Sequence, residues 1–295
     1  MKKTDNDYMV RAITSDGCIR AFAAKTTNTI EQLRLAHGLA PLATAVLGRA
    51  ATAVVMMAYM LKDGGKVAVQ IRGDGPVGAV VAEADADGSV RGFVDHPDVE
   101  LPPNAAGKPD VAGAVGKSGF LHVIKDIGLK EPYRGSVPIV SGELGEDFAY
   151  YFAKSEQVPS AVALGVTTAA DGRVLAAGGW IVQLMAGVPE EKVEEIEQKL
   201  RALPPVNSLF ADGGTPERLL SEILGDVRFL DRQEVRFACR CSRERVEETL
   251  TGFGSDEIGR ILEEDGRAEL VCHYCGQIYR FDRYELESLL QRLKN

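Results

Sequence analysis

Four of the chain's five cysteines lie in its last sixty residues, in two tight pairs. Cys239 and Cys241 stand one residue apart in "RFACRCSRER", and Cys272 and Cys275 follow in "VCHYCGQIY". The pattern is C-x-C, thirty intervening residues, then C-x-x-C. Four thiolates from two clusters are the usual donors of a closed tetrahedral zinc site. The unit that carries them, of roughly 65 residues, is near the size at which a domain needs a metal or a disulfide to stay folded. The second pair has ordinary zinc-knuckle spacing, and Gly276 suits the tight turn after it. The first pair is shorter than the usual gap. C-x-x-C closes readily into a relaxed local disulfide. C-x-C can close too, but near the upper limit of Cα separation, which makes such a bond strained and easily reduced. Arg236, Arg240, Arg243 and Arg245 crowd the first pair; they are expected to favour thiolate and to offset the negative charge of a metal with four thiolates.

These residues leave three readings open. A stable structural zinc module fits the spacing, with a nucleic-acid zinc ribbon as a variant. A redox-responsive site fits the odd first gap. A thiol–disulfide oxidoreductase would show turnover of a dithiol substrate. Charge weakens the nucleic-acid reading: residues 231–295 hold 11 Lys and Arg against 14 Asp and Glu, a net of −3, and the whole chain carries −9. Other candidates are weaker. "VGKSG" at 115–119 resembles the end of a phosphate loop, but the motif's first glycine would fall at Val111, so no nucleotide site is expected. His273 is a spare donor beside four sufficient cysteines, and His37, His96 and His122 are isolated. Cys18 reads as a packed small apolar residue. The acids of "SGELGEDF" read as helix-start residues rather than catalytic ones.

The predicted fold class is α+β: a large N-terminal domain of mixed sheet and helix (1–186), a helical linker (187–230) and a small C-terminal zinc-binding α+β domain (231–295). In the first domain, "YMVRAIT", "CIRAFAAKT", "KVAVQIRG", "VGAVVAEAD", "VRGFVDH", "GFLHVIKD", "GSVPIVSG", "SAVALGVTT" and "VLAAGGWIVQLM" read as strands, with hairpins at "ADADG" and "TTAADG". Helices are expected near 28–63, broken at His37–Gly38, and at "GELGEDFAYYFAKSE". The apolar run "LATAVLGRAATAVVMMAYML", residues 42–61, has the length of a membrane span, but Gly48 and Arg49 sit at its centre. It reads instead as a buried helix from near Pro41 to a glycine cap at Gly64 or Gly65. "MKKTDNDYMVRAITSDG" has no apolar core behind its basic residues and is not a secretory signal, so a cytoplasmic protein is expected. In the linker, Pro189 is placed at the first position of one helix, whose stripe is Val193, Ile196, Leu200 and Leu203. Thr215, Pro216 and Gly225 cap, start and end another. Such short amphipathic helices must lie against something. In the last unit, helices are expected after Ser242 and Ser255, and one opened by Asp282 with Glu285 three residues on.

Taken together, "VRFACRCSRER", "EDGRAELVCHYCGQIYRF", "GDGPVGAVVAEAD", "VSGELGEDFAYYFAKSEQVPSAVALGV", "AAGGWIVQLMAG" and "TPERLLSEILG" resemble the heat shock protein 33 family of redox-regulated molecular chaperones. The resemblance runs along nearly the whole chain. It implies an ATP-independent holdase, not an enzyme, that protects unfolded or oxidatively damaged client proteins and binds neither nucleic acid nor membrane. It also implies one zinc ion held by Cys239, Cys241, Cys272 and Cys275 in a reduced, inactive state. Oxidation would then form Cys239–Cys241 and Cys272–Cys275 disulfides, release the zinc and unfold the zinc domain and linker, with a homodimer as the active form.

Overall fold

The computed structural model describes residues 6–61 and 64–294. Its secondary structure runs β1 (Tyr8–Thr14), β2 (Ile19–Lys25), α1 (Thr27–His37), α2 (Pro41–Tyr59), β3 (Lys66–Arg72), β4 (Ala79–Asp85), β5 (Ser89–Val94), α3 (Val111–Val115), β6 (Phe120–Asp126), β7 (Tyr133–Pro138), α4 (Gly145–Lys154), β8 (Ser160–Thr168) and β9 (Val174–Leu184). It continues with α5 (Glu190–Ala202), α6 (Val206–Ala211), α7 (Pro216–Leu224), β10 (Val227–Glu234), β11 (Arg236–Phe237), α8 (Arg243–Gly252), α9 (Ser255–Glu264), β12 (Ala268–Val271), β13 (Ile278–Phe281) and α10 (Arg283–Lys294). The α+β class is as expected, and both predicted hairpins form: β4 pairs β5 and β8 pairs β9, each antiparallel. The chain divides into two compact units between Ala238 and Cys239.

In the first unit, one sheet has the order β10-β1-β2-β9-β8 and the other β11-β5-β4-β3-β6-β7. The core is organised by α2, which is buried nearly all round because its sequence is apolar all round. It is long and apolar enough to cross a membrane, yet 89% of its apolar window is buried inside the protein. Gly48 is what lets its neighbours close in: a Cβ there would stand 2.8 Å from Ile30 and from Val166. The helix opens on Pro41 as expected but stops at Tyr59, short of the predicted glycine cap. Its last turn tightens, with the Leu61 N–H bonded to the Ala58 carbonyl at 3.1 Å, before the glycines are reached. Gly65 serves a close approach instead, since a Cβ there would meet the Asp126 carbonyl at 2.6 Å. Residues 62–63 of that predicted cap region, and 1–5 of the N-terminal stretch, lie outside the described residues.

Strand alternation gives the first sheet two apolar faces. Met9, Phe22, Ala24, Ala177 and Ile181 face the core that holds α2. Tyr8, Val10, Ala21, Ala23, Trp180 and Val182 form the other face, and on it lie Ile196 of α5, Val206 and Phe210 of α6, and Leu219, Leu220 and Ile223 of α7. This is where the thin apolar stripes of these helices find their partner. Thr215 caps α7 by accepting from the Arg218 N–H at 3.2 Å, and Gly225 ends it at φ 77, as predicted. Pro189 is the N-cap of α5 rather than its first residue, with extended backbone at ψ 143. The sequence reading did not anticipate α6.

The segment after α7 ties both sheets together. β10 pairs antiparallel with β1, and β11 pairs parallel with β5. At the corner between them the Val235 N–H donates to the Asp7 carbonyl. The Asp7 carboxylate, 2% exposed, accepts from the Thr29 N–H and hydroxyl.

The second unit packs α8, α9, α10 and the β12–β13 hairpin around Leu250, Phe281, Leu286 and Leu289. Ser242 caps α8, and Asp282 and Glu285 form the reciprocal capping pair that their spacing predicts.

Candidate metal centre

The four paired cysteines converge in the second unit. Their sulfurs all lie within 4.8 Å of one another. The Cys272–Cys275 half is a knuckle at the mouth of the β12–β13 hairpin. The Cys272 N–H donates to the Gln277 carbonyl at 2.9 Å, and the Gly276 N–H donates to the Cys272 carbonyl at 2.8 Å. Gly276 takes φ 70, the left-handed turn for which a glycine was expected. The Cys239–Cys241 half is irregular chain that ends at the Ser242 cap of α8. The Arg245 guanidinium fastens it by donating to the Arg240 carbonyl at 3.0 Å.

Two sulfur contacts bridge the pairs. Cys239 lies 3.7 Å from Cys272, and Cys241 lies 3.3 Å from Cys275. A tetrahedral metal with bonds of about 2.3 Å needs sulfurs about 3.8 Å apart, so the arrangement fits a small ion such as zinc with little adjustment. Four soft thiolates do not suit magnesium or calcium, which take oxygen ligands. His273 is not one of the converging donors.

The thiols are not equivalent. Burial pushes Cys239 and Cys275 up. Burial also acts against the Cys241 thiolate, but hydrogen bonds from Tyr279 and the other three cysteines outweigh it and bring Cys241 down. The Tyr279 hydroxyl donates to the Cys241 sulfur at 3.1 Å, and this bond holds its own pKa at about 12. Tyr279 escaped the sequence reading. Its only signal is a phenol in the strand leaving the knuckle, a side chain whose O–H seeks a partner.

Two of the four arginines expected beside the first pair are taken by other partners. Arg236 pairs with Asp87 at 2.8 Å in the first unit. Arg243 lies over the Phe281 ring at 4.3 Å and pairs with Glu285 at 2.6 Å. Nearby carboxylates engage both guanidinium groups.

Comparison with known proteins agrees with this geometry. Residues 7–282 match the family described as Hsp33 protein. The chain belongs to the Hsp33 family. Among Hsp33 relatives, the 33 kDa chaperonin of Geobacillus sp. (strain WCH70) is 49% identical over 288 residues, 97% of this chain and 98% of the relative. That of Bacillus subtilis (strain 168) is 49% identical over 96% of this chain and 98% of its own length. The crystal structure of the 33 kDa chaperonin (heat shock protein 33 homolog) from Thermotoga maritima superposes with a TM-score of 0.91 at 38% identity, covering 98% of this chain and 99% of that one. Those Hsp33 proteins are named as chaperonins, as the sequence resemblance led one to expect.

Proposed function

We propose that this chaperone is an ATP-independent holdase switched on by oxidation, with Cys239, Cys241, Cys272 and Cys275 as both zinc ligands and redox switch. The observation that carries the reading is the meeting of four sulfurs from two separate segments of a unit whose core cluster is small, with Leu250, Phe281, Leu286 and Leu289 at its centre. Bound at these thiolates, zinc would supply on the order of 10 kcal/mol of folding free energy, more than so small a core gives by itself.

The chain's own thiols carry the switch. A peroxide takes one thiol to a sulfenic acid, releasing water, and the second thiol of the pair displaces a second water to form the disulfide. Closed as Cys239–Cys241 and Cys272–Cys275, the bonds leave no donor set for the metal and no link between residues 241 and 272. Residues 231–295 then act as the switch segment and 187–230 as a releasable linker. The apolar sheet face under α5–α7 becomes available to unfolded or oxidatively damaged clients. The active form is a homodimer working in the cytoplasm.

The test is light scattering of a heat-denaturing client with the reduced, zinc-loaded protein and with the peroxide-treated protein. Suppression by the oxidised form alone is expected. Equal suppression by both, or by neither, removes the switch and returns the cysteines to a purely structural metal module.

A further inference from the structure

We infer that the outer edge of β8 is where an extended client segment is held, paired to the sheet as an added strand. This deepens the chaperone reading and rests on it.

Among the described residues β8 is an edge strand, paired only with β9. Its main-chain groups alternate in direction, as antiparallel pairing requires. The Ala163 carbonyl is turned to Gly179 of β9, where a Cβ would meet it at 2.7 Å, and the Val162 carbonyl is turned outward to Gly145 of α4. Leu164 and Val166 share the outward phase of Val162. Among the described residues no other backbone is bonded to the outward groups of Leu164 and Val166. Along this row runs a groove of about 650 Å³, with β8 as one side and the 104–109 loop among its walls.

The occupant follows from what the groove offers. Its charged side chains are balanced, Arg49 and Lys108 against Glu143 and Glu146, so it selects no charge. Arg49 and Glu143 already neutralise each other at 2.7 Å. What remains is a row of peptide N–H and C=O groups, which any extended chain can satisfy whatever its side chains. That sequence-blind chemistry suits an unfolded polypeptide. Pro205, Val206 and Ser208 of the linker also line the groove, so displacing the linker widens it.

The test uses the full-length protein, reduced and peroxide-treated, with a labelled peptide of alternating Val and Thr flanked by Lys. A second copy of the peptide is N-methylated at two adjacent central residues, which blocks both of its edges. Binding is expected to be stronger to the oxidised protein and at least ten-fold weaker for the N-methylated peptide. Hydrogen exchange at the Leu164 and Val166 amides should slow at least ten-fold when the unmodified peptide binds. Equal binding of the two peptides, binding that leaves those amides unprotected, or no binding overturns the inference. So does protection that rises with protein concentration without peptide, which assigns the edge to a second copy. Client light scattering on the same oxidised sample separates the two levels. Intact suppression with unprotected amides sinks the β8 edge alone, and absent suppression sinks the chaperone switch itself.

Discussion

The Cys241 sulfur lies 3.3 Å from that of Cys275, 34 positions away in sequence, a contact that crosses between the two pairs. Such contacts would also allow crossed disulfides, which would keep the two cysteine segments tied. The proposed switch needs the local ones. Peptide mapping after peroxide treatment should recover Cys239–Cys241 and Cys272–Cys275. Crossed Cys239–Cys272 and Cys241–Cys275 bonds in a client-binding sample would show that melting of the unit is not the trigger.

Removing the metal without oxidation should have the same structural effect. A strong chelator added to the reduced protein is expected to abolish the helical signal of α8, α9 and α10, while the sheets of the first unit remain. Circular dichroism and a free-thiol count read the two together. A fully helical, chelated second unit with its thiols intact would mean that the small apolar core suffices.

Tyr279 should tune metal retention. Tyr279→Phe removes the O–H that donates to the Cys241 sulfur at 3.1 Å, and loss of such an outer partner costs about ten-fold or more in affinity. Competition with a chromogenic chelator measures it. Unchanged affinity would reduce Tyr279 to a packing residue.

The single tryptophan reports on the linker. Trp180 is 6% exposed on the sheet face beneath α5–α7. Its emission should move to the red when the linker lifts. Phe210→Ala, which removes a ring that is 5% exposed, should weaken the docking by about 3 kcal/mol. Partial client binding by the reduced variant is the expected result. A red-shifted but inert variant would show that this face is not where clients go.

Asp7 sets a pH dependence. Burial holds its carboxyl above the ordinary value of 3.8, only partly offset by the Thr29 N–H and hydroxyl. The folded state thus binds the proton more tightly than the unfolded chain. The ionised group costs stability at neutral pH, and the cost fades as pH falls through the raised folded value toward 3.8. Asp7→Asn should flatten that slope in thermal melting between pH 4 and 7; an unaltered slope would place its origin elsewhere.

Much of this was legible in the sequence. Strand alternation placed β1 and β8 to the residue, and the Thr215, Ser242 and Asp282 starts were marked by local capping chemistry. The four cysteines were legible because their spacing is chemistry as well as pattern. What escaped depends on partners distant in sequence. α6 has only a short apolar signature, and what secures it is the sheet under Val206 and Phe210. β10 reads as a charged, exposed segment because it is an edge strand whose order comes from β1. Arg236 and Arg243 were misread because sequence proximity says nothing of Asp87 or Glu285, the carboxylates that take them.

The stretch from Val227 to Ala238 separates the linker helices from the cysteines, and it is bonded to both sheets. On the proposed switch it would act as a firebreak. Disorder starting at Cys239 would meet the Ala238–Val90, Arg236–Gly88 and Val235–Asp7 backbone bonds before reaching α7. The alarm should therefore sound in two stages, a prompt loss of the thiol unit and a delayed opening of the linker. A brief oxidant pulse could then pass without committing the protein to its clients.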